Sequence, residues 1–164
     1  PAAAQLPGAR GLRAPFGGLG EARYGIAWGA MGAARDSFEA ALRHSLRRVQ
    51  FGRPIAAFQL TQQKLADMAI EIQKGTLLAL HLGRRKDAGI LTPEQISLAK
   101  LANVREALAI AREARTVLGG DGILLEHSPL RHAANLESVR TYEGTDEVHT
   151  LVLGQHLTGL AAFR

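Results

Sequence analysis

Apolar residues recur at three- and four-residue steps through three long stretches of this chain, and no stretch alternates convincingly at period two. Ala27, Met31, Ala34, Phe38, Leu42, Ser45 and Val49 mark one face of a helix over about residues 20–49, which stops near Gly52-Arg53-Pro54. Leu65, Met68, Ile72, Thr76, Ala79 and Leu82 mark a second, over about 57–88, ended by Gly89. Thr92-Pro93-Glu94-Gln95 opens a third: Thr92 caps, Pro93 suits the first helical position and Gln95 reaches back as in a capping box. Leu98, Leu101, Leu108, Ala111 and Leu118 follow it, and Gly119-Gly120-Asp121-Gly122 ends it.

A shorter helix is expected over 128–139. A last one starts near Thr145, with Asp146 and Glu147 complementing the dipole of its first turn. Val148, Leu151, Val152, Leu153, Leu157 and Leu160 make that helix apolar on more than one side, which predicts a central place or a subunit contact. Helices of roughly 25–30 residues, about 40 Å each, with short connections pack antiparallel. The predicted fold is all-α, an up-and-down four-helix bundle with an additional short helix. Residues 1–19, broken by Pro7-Gly8, Gly11, Pro15 and Gly17-Gly18, read as a linker or domain edge, and 20–164 as the bundle.

Composition narrows the function. The formal charge is +5, carried mostly by arginines spread along the chain, and aromatic residues make up only 5%. A nucleic-acid binder would mass its basic residues with aromatics between them, so no nucleic-acid partner is expected. A few of the arginines can instead meet phosphates of a cofactor or substrate. No apolar run approaches a membrane span, so no membrane partner is expected. With no cysteine, disulfides, thiol catalysis and thiolate metal sites are excluded, and the expected compartment is the cytoplasm. The six histidines do not cluster, and no metal site is predicted.

Three segments interrupt the helical pattern with unusual residue choices. In Arg48-Val49-Gln50-Phe51-Gly52, Arg48 offers a planar fork of donors for a phosphate, Gln50 adds a donor and an acceptor, and Phe51 can wall a flat ring. The plainer alternative is a helix C-terminus with a glycine cap. In Leu118-Gly119-Gly120-Asp121-Gly122 the glycines bare backbone N–H groups that can bind an anion, or simply form a turn. In Tyr142-Glu143-Gly144-Thr145, Glu143 stands at a break beside a glycine that lets a ligand come close. A carboxylate shielded from water suits a general base, though an acidic residue before a helix is also ordinary capping.

Together with Arg23-Tyr24-Gly25-Ile26-Ala27-Trp28-Gly29, Arg53-Pro54-Ile55 and Leu65-Ala66-Asp67-Met68, these segments resemble the acyl-CoA dehydrogenase family in order and spacing, from about Leu6 to Phe163. Ala22–Gly29, Leu136–Thr145 and Leu153–Phe163 look most like its glutaryl-CoA dehydrogenase branch. The resemblance implies an FAD enzyme that removes an α-proton from an acyl-CoA thioester while the β-hydrogen leaves as hydride. For glutaryl-CoA, decarboxylation to crotonyl-CoA follows. It makes Glu143 the base, and it assigns Arg48, Gln50 and Phe51 to the FAD diphosphate across a subunit interface. Gly119, Gly120, Thr145 and Glu147 become further FAD contacts. Arg23, Tyr142 and Gly144 fall to the substrate. Asp121 stands where the family usually has Asn, Thr116 where many relatives have a Gln that helps hold FAD, and Glu147 where a Gln or Asp is usual.

The resemblance also implies an electron-transfer flavoprotein as acceptor and a homotetramer built as a dimer of dimers. In the family an N-terminal helical domain and a middle β-domain precede this bundle and complete the flavin pocket. On that reading residues 1–19 are the end of the β-domain, and the bundle alone is expected to be inactive. A different role, a non-catalytic module that assembles without flavin, draws on the apolar last helix.

Overall fold

The computed structural model describes residues 2–4, 7–8 and 11–162. Among the described residues, five α-helices carry the fold: α1 (Arg13–Arg47), α2 (Gln59–Asp87), α3 (Pro93–Leu118), α4 (Ser128–Thr141) and α5 (Asp146–Thr158). Single 3₁₀ turns at Ile55–Ala57 and Asp121–Ile123 precede α2 and follow α3. The all-α bundle is thus as expected. Among the described residues, no helix is long and apolar enough to cross a membrane.

The first helix starts earlier than its periodicity marks. Pro15 is its third residue, where a missing N–H costs nothing because first-turn N–H groups have no helical partner. Gly17 and Gly18 follow inside the same helix, so breaker residues alone gave the wrong boundary. Of the segment read as a linker, residues 1, 5, 6, 9 and 10 lie outside the described residues, as do 163 and 164.

The second departure is a small hairpin where only a helix end was expected. β1 (Val49–Gln50) pairs antiparallel with β2 (Arg53–Pro54), Val49 opposite Pro54 and Gln50 opposite Arg53. Phe51 and Gly52 turn the corner with φ of 50° and 78°, the positive pair that a two-residue hairpin turn requires.

Helix α3 is the axis of the molecule, packing against α1, α2, α4 and α5. Its reciprocal capping bond is present: the Thr92 N–H donates to Gln95 Oε1 at 3.2 Å. Its contact with α1 is built from alanines. Ala27, Ala34 and Ala41 on one side and Ala107, Ala111 and Ala114 on the other are fully buried. Such small side chains let the two backbones approach closely. Asn103 exploits this closeness, its amide donating to Ala27 O at 2.9 Å and to Gly75 O at 3.0 Å. One buried side chain therefore ties three helices together. Two hairpin reversals make α1 and α3 parallel, so their C-termini share one end of the bundle.

Helix α5 is less buried than its apolar sequence suggests. Only Asp146 and His149 are buried, whereas Leu157, and Leu160 just past the helix, stand exposed and Val148 is nearly half exposed. It is not central within this chain. Leu151, Val152 and Leu153 are half-buried, and Val148 and Leu157 are its exposed large apolar residues.

Candidate functional site

Residues singled out in the sequence gather at two ends of the bundle. At the C-terminal end of α1 and α3, the hairpin and the start of α2 enclose an open groove of about 750 Å³, lined by Gln50, Phe51, Arg53, Phe58, Lys64 and Thr116 among others. Phe51 stands 93% exposed, with its ring edge toward Phe58, and the Arg53 guanidinium lies over the Phe58 ring at 4.2 Å. Cationic and amide donors beside a bare ring suit one end of a large anionic ligand with a flat ring system.

Two details at this end differ from expectation. Arg53, not Arg48, contributes to the wall of the groove; Arg48 is exposed where α1 gives way to the hairpin. The glycine turn does not bare all its N–H groups either. Gly119 N donates to Thr116 O and Gly122 N to Gly119 O, so these two are spent on the turn itself. Gly119 and Gly120 are exposed and directly follow Thr116 and Val117, which line the groove.

The second end is the loop between α4 and α5. Glu143 has φ of 55° and Gly144 has φ of 101°, two successive residues in backbone that L-residues avoid. What holds them is a set of cations. Arg23 Nε, from the N-terminal half of α1, donates to Glu143 O at 2.7 Å. Lys100 Nζ, from the first turns of α3, donates to Tyr142 O at 2.6 Å and Gly144 O at 2.5 Å. Thr145 caps α5, its Oγ1 accepting from Val148 N. Asp146 then anchors the helix start, its carboxylate held by Arg140 at 2.7 Å and Arg105 at 3.0 Å. Burial would raise the Asp146 pKa, but the bonds from these two arginines outweigh it and hold the carboxyl below its usual range.

The Glu143 side chain is treated differently from its backbone. Its Oε2 is buried and has no hydrogen-bond partner among the described residues. With Tyr142 it closes one end of a groove of about 450 Å³ whose α1 wall is Ala22, Gly25, Ile26 and Gly29. Added Cβ atoms at Gly25 and Gly29 would meet nothing within 4 Å, so that wall is bare backbone facing open space. Thr145 and Glu147 line a separate hollow with Arg140 and Thr141.

His149, one turn into α5, is 1% exposed and packs under Gly144. Burial, then the charges of Lys100 and Arg23, push its pKa down to about 4, so the imidazole is neutral at pH 7. Lys100 is pushed down as well, by burial first and by Arg23 second, against the pull of Glu143 and Asp146.

The structure therefore brings Arg23, Tyr142, Glu143 and Gly144 together, and Gln50 and Phe51 together, but keeps the two groups apart. The C-terminal end of α1 is marked by His44, whose ring lies 3.8 Å from the Asp121 carboxylate beyond α3. Arg23 and His44 are about six turns apart on α1, roughly 30 Å at 1.5 Å per residue. Sequence reasoning missed Lys100, Asn103 and His149. A signal existed for the first two: Lys100 and Asn103 head a buried alanine stripe, Ala107, Ala111 and Ala114, where a cation and an amide need a reason to sit.

With this geometry in place, likeness to known proteins resolves its class. The family model "Acyl-CoA dehydrogenase, C-terminal domain" matches residues 9–158, and the chain belongs to that family. It is 65% identical to glutaryl-CoA dehydrogenase from Mycobacterium smegmatis, with a TM-score of 0.97 over all of this chain and 42% of that one. A second structure of glutaryl-CoA dehydrogenase from that organism, in complex with FADH2, is 63% identical with a TM-score of 0.98 and the same coverage. The human mitochondrial short-chain specific acyl-CoA dehydrogenase is 36% identical over 135 residues, which is 82% of this chain and 33% of that protein. The chain thus spans about a third of that curated relative.

Proposed function

We propose that this chain is the C-terminal domain of an FAD-dependent acyl-CoA dehydrogenase acting on glutaryl-CoA, with Glu143 as the base that removes the α-proton of the thioester. The observation that carries the reading is the Glu143 carboxyl: one oxygen is buried and unpartnered among the described residues, the residue lines a groove, and its backbone is fixed by two cations. An acceptor for a proton must be shielded from water yet uncommitted to a protein donor, and this carboxyl is both.

FAD, when bound, supplies the two-electron oxidation. The residues fit such a group in two portions. Gln50, Phe51, Arg53 and Thr116, with Arg48, Gly119 and Gly120 beside them, suit the diphosphate end; Thr145 and Glu147 follow the base in the chain and line the neighbouring hollow. Because one chain holds these portions about 30 Å apart, each flavin site takes them from two chains, and the exposed Val148 and Leu157 of α5 support a homotetramer. Tyr142 and the bare backbone of Gly25 and Gly29 admit the acyl thioester. Arg23 orients the base through its backbone carbonyl. The groove shields the reacting carbon, and Glu143 holds the abstracted proton. Loss of carbon dioxide to give crotonyl-CoA, and delivery of electrons to an electron-transfer flavoprotein, complete the proposed reaction.

The test is Glu143→Gln in the holoenzyme. The variant should retain FAD and bind glutaryl-CoA, yet its flavin should no longer bleach on mixing with the thioester. Bleaching at a near-normal rate would remove Glu143 from the role of base.

A further inference from the structure

We infer that Lys100 is a positioning residue for the proton-abstracting step, an inference that rests on Glu143 being the base. Glu143 adopts a left-handed backbone angle that a non-glycine residue avoids, and such strain persists only where its surroundings over-determine it. Among the described residues, the bonds that do so come from two side chains. Arg23 takes the carbonyl of Glu143 itself, and the Lys100 ammonium takes the carbonyls on either side, Tyr142 O and Gly144 O. Three successive carbonyls thus face two cations, and the peptide planes on both sides of the base cannot rotate without breaking one of these bonds.

The choice of lysine is physically expensive here. Lys100 is 2% exposed and, among the described residues, makes no ion pair; its ammonium donates to neutral carbonyls, with the Tyr142 ring 5.9 Å away. Burying an ammonium without a carboxylate is unfavourable, so a purely structural anchor would be better served by a neutral donor. What the charge adds is a positive potential directed at Glu143, which in turn favours the protonated form of Lys100. Lys100 therefore fixes the backbone that carries the carboxyl and sets the field in which it works. It touches no reacting atom.

The experiment separates the base from the redox chemistry. Acetyl-CoA has no β-hydrogen and cannot be oxidised by α,β-dehydrogenation, yet a placed base exchanges its α-protons for deuterium in D₂O. We would follow that exchange by mass spectrometry on the holoenzyme, alongside acetyl-CoA affinity and FAD content. Lys100→Met should lower the exchange rate by about 10- to 100-fold, the scale expected for a displacement of about 1 Å, with acetyl-CoA affinity within threefold of wild type. Lys100→Gln keeps a polar head of shorter reach and is the variant to read if the methionine fails to fold; it should slow exchange at least several-fold at unchanged affinity. Exchange near the wild-type rate in either FAD-replete variant, or a loss explained by affinity alone, would overturn the inference. An inactive Glu143→Gln beside a fast Lys100→Met would remove this inference alone. A Glu143→Gln that still exchanges would remove the base reading, and this inference with it.

Discussion

Replacing Gly144 by alanine tests how tightly the turn around Glu143 is determined. Gly144 has φ of 101°, and an added Cβ would lie 2.9 Å from His149 Nε2, 3.2 Å from His149 Cε1 and 3.5 Å from an Arg23 Nη atom. The last contact is ordinary; the first is not. His149 is 1% exposed, so its ring has no solvent into which to retreat. Two costs add. The backbone angle penalises an L-residue by about 1–2 kcal/mol, and overpacking a closed site costs about 1–3 kcal/mol. The smallest relief is for the turn to shift, which moves Glu143. A displacement of about 1 Å lowers the rate by roughly 100-fold, so Gly144→Ala should lose thioester-driven flavin bleaching while keeping its flavin. Adding His149→Ala should recover part of the stability, because it removes the clash and leaves the angle. Gly32→Ala is the control: it is an exposed helical glycine with nothing within 4 Å of an added Cβ, and it should gain about 0.5–1 kcal/mol from helix propensity. A Gly144→Ala protein with wild-type rate and melting temperature would refute the reasoning, since neither cost could then be real.

Two further outcomes follow from buried polar groups. Asn103→Leu, which keeps the side-chain size but loses both donors, should destabilise the protein by about 1–3 kcal/mol in denaturant melts, because it unties α3 from Ala27 and Gly75. His149 gives a pH dependence: its folded pKa of about 4 lies below the unfolded value of 6.5, so unfolded chains take up a proton that the folded protein refuses. Stability should be unaffected by this group above pH 6.5 and fall as the pH drops from 6.5 toward 4, and His149→Leu should flatten that part of the thermal profile.

Most of the fold was legible because its rules are local and periodic. The faces of α1, α2 and α3 declared themselves in apolar steps, and Thr92-Pro93-Glu94-Gln95 announced its own cap. The start of α1 was not legible, since Pro15 and Gly17-Gly18 break helices on average, whereas here Pro15 falls in the first turn, where its missing N–H is no loss, and the exposed Gly17 and Gly18 are carried by the long helix that continues past them. The two-residue strands of the hairpin are too short for any period to register. At the candidate site, Glu143 and Gly144 stood out as a break in pattern. Lys100 did not, because its meaning comes from carbonyls 42 and 44 residues away in the chain, which only the closed fold brings to it. The buried state of His149 was hidden for the same reason: its sequence neighbours are apolar and polar alike, and its burial comes from contact with α3 and the turn.

The separation of the hairpin groove from the Glu143 turn has a genetic corollary. A defect at Phe51 and a defect at Glu143 sit at opposite ends of one polypeptide, yet a shared flavin site would draw its two halves from different polypeptides. When two such defective copies co-assemble, one pocket of a pair collects both lesions and the other collects neither. Two alleles that are each inactive alone would then restore part of the activity together, whereas two alleles damaging the same end would not.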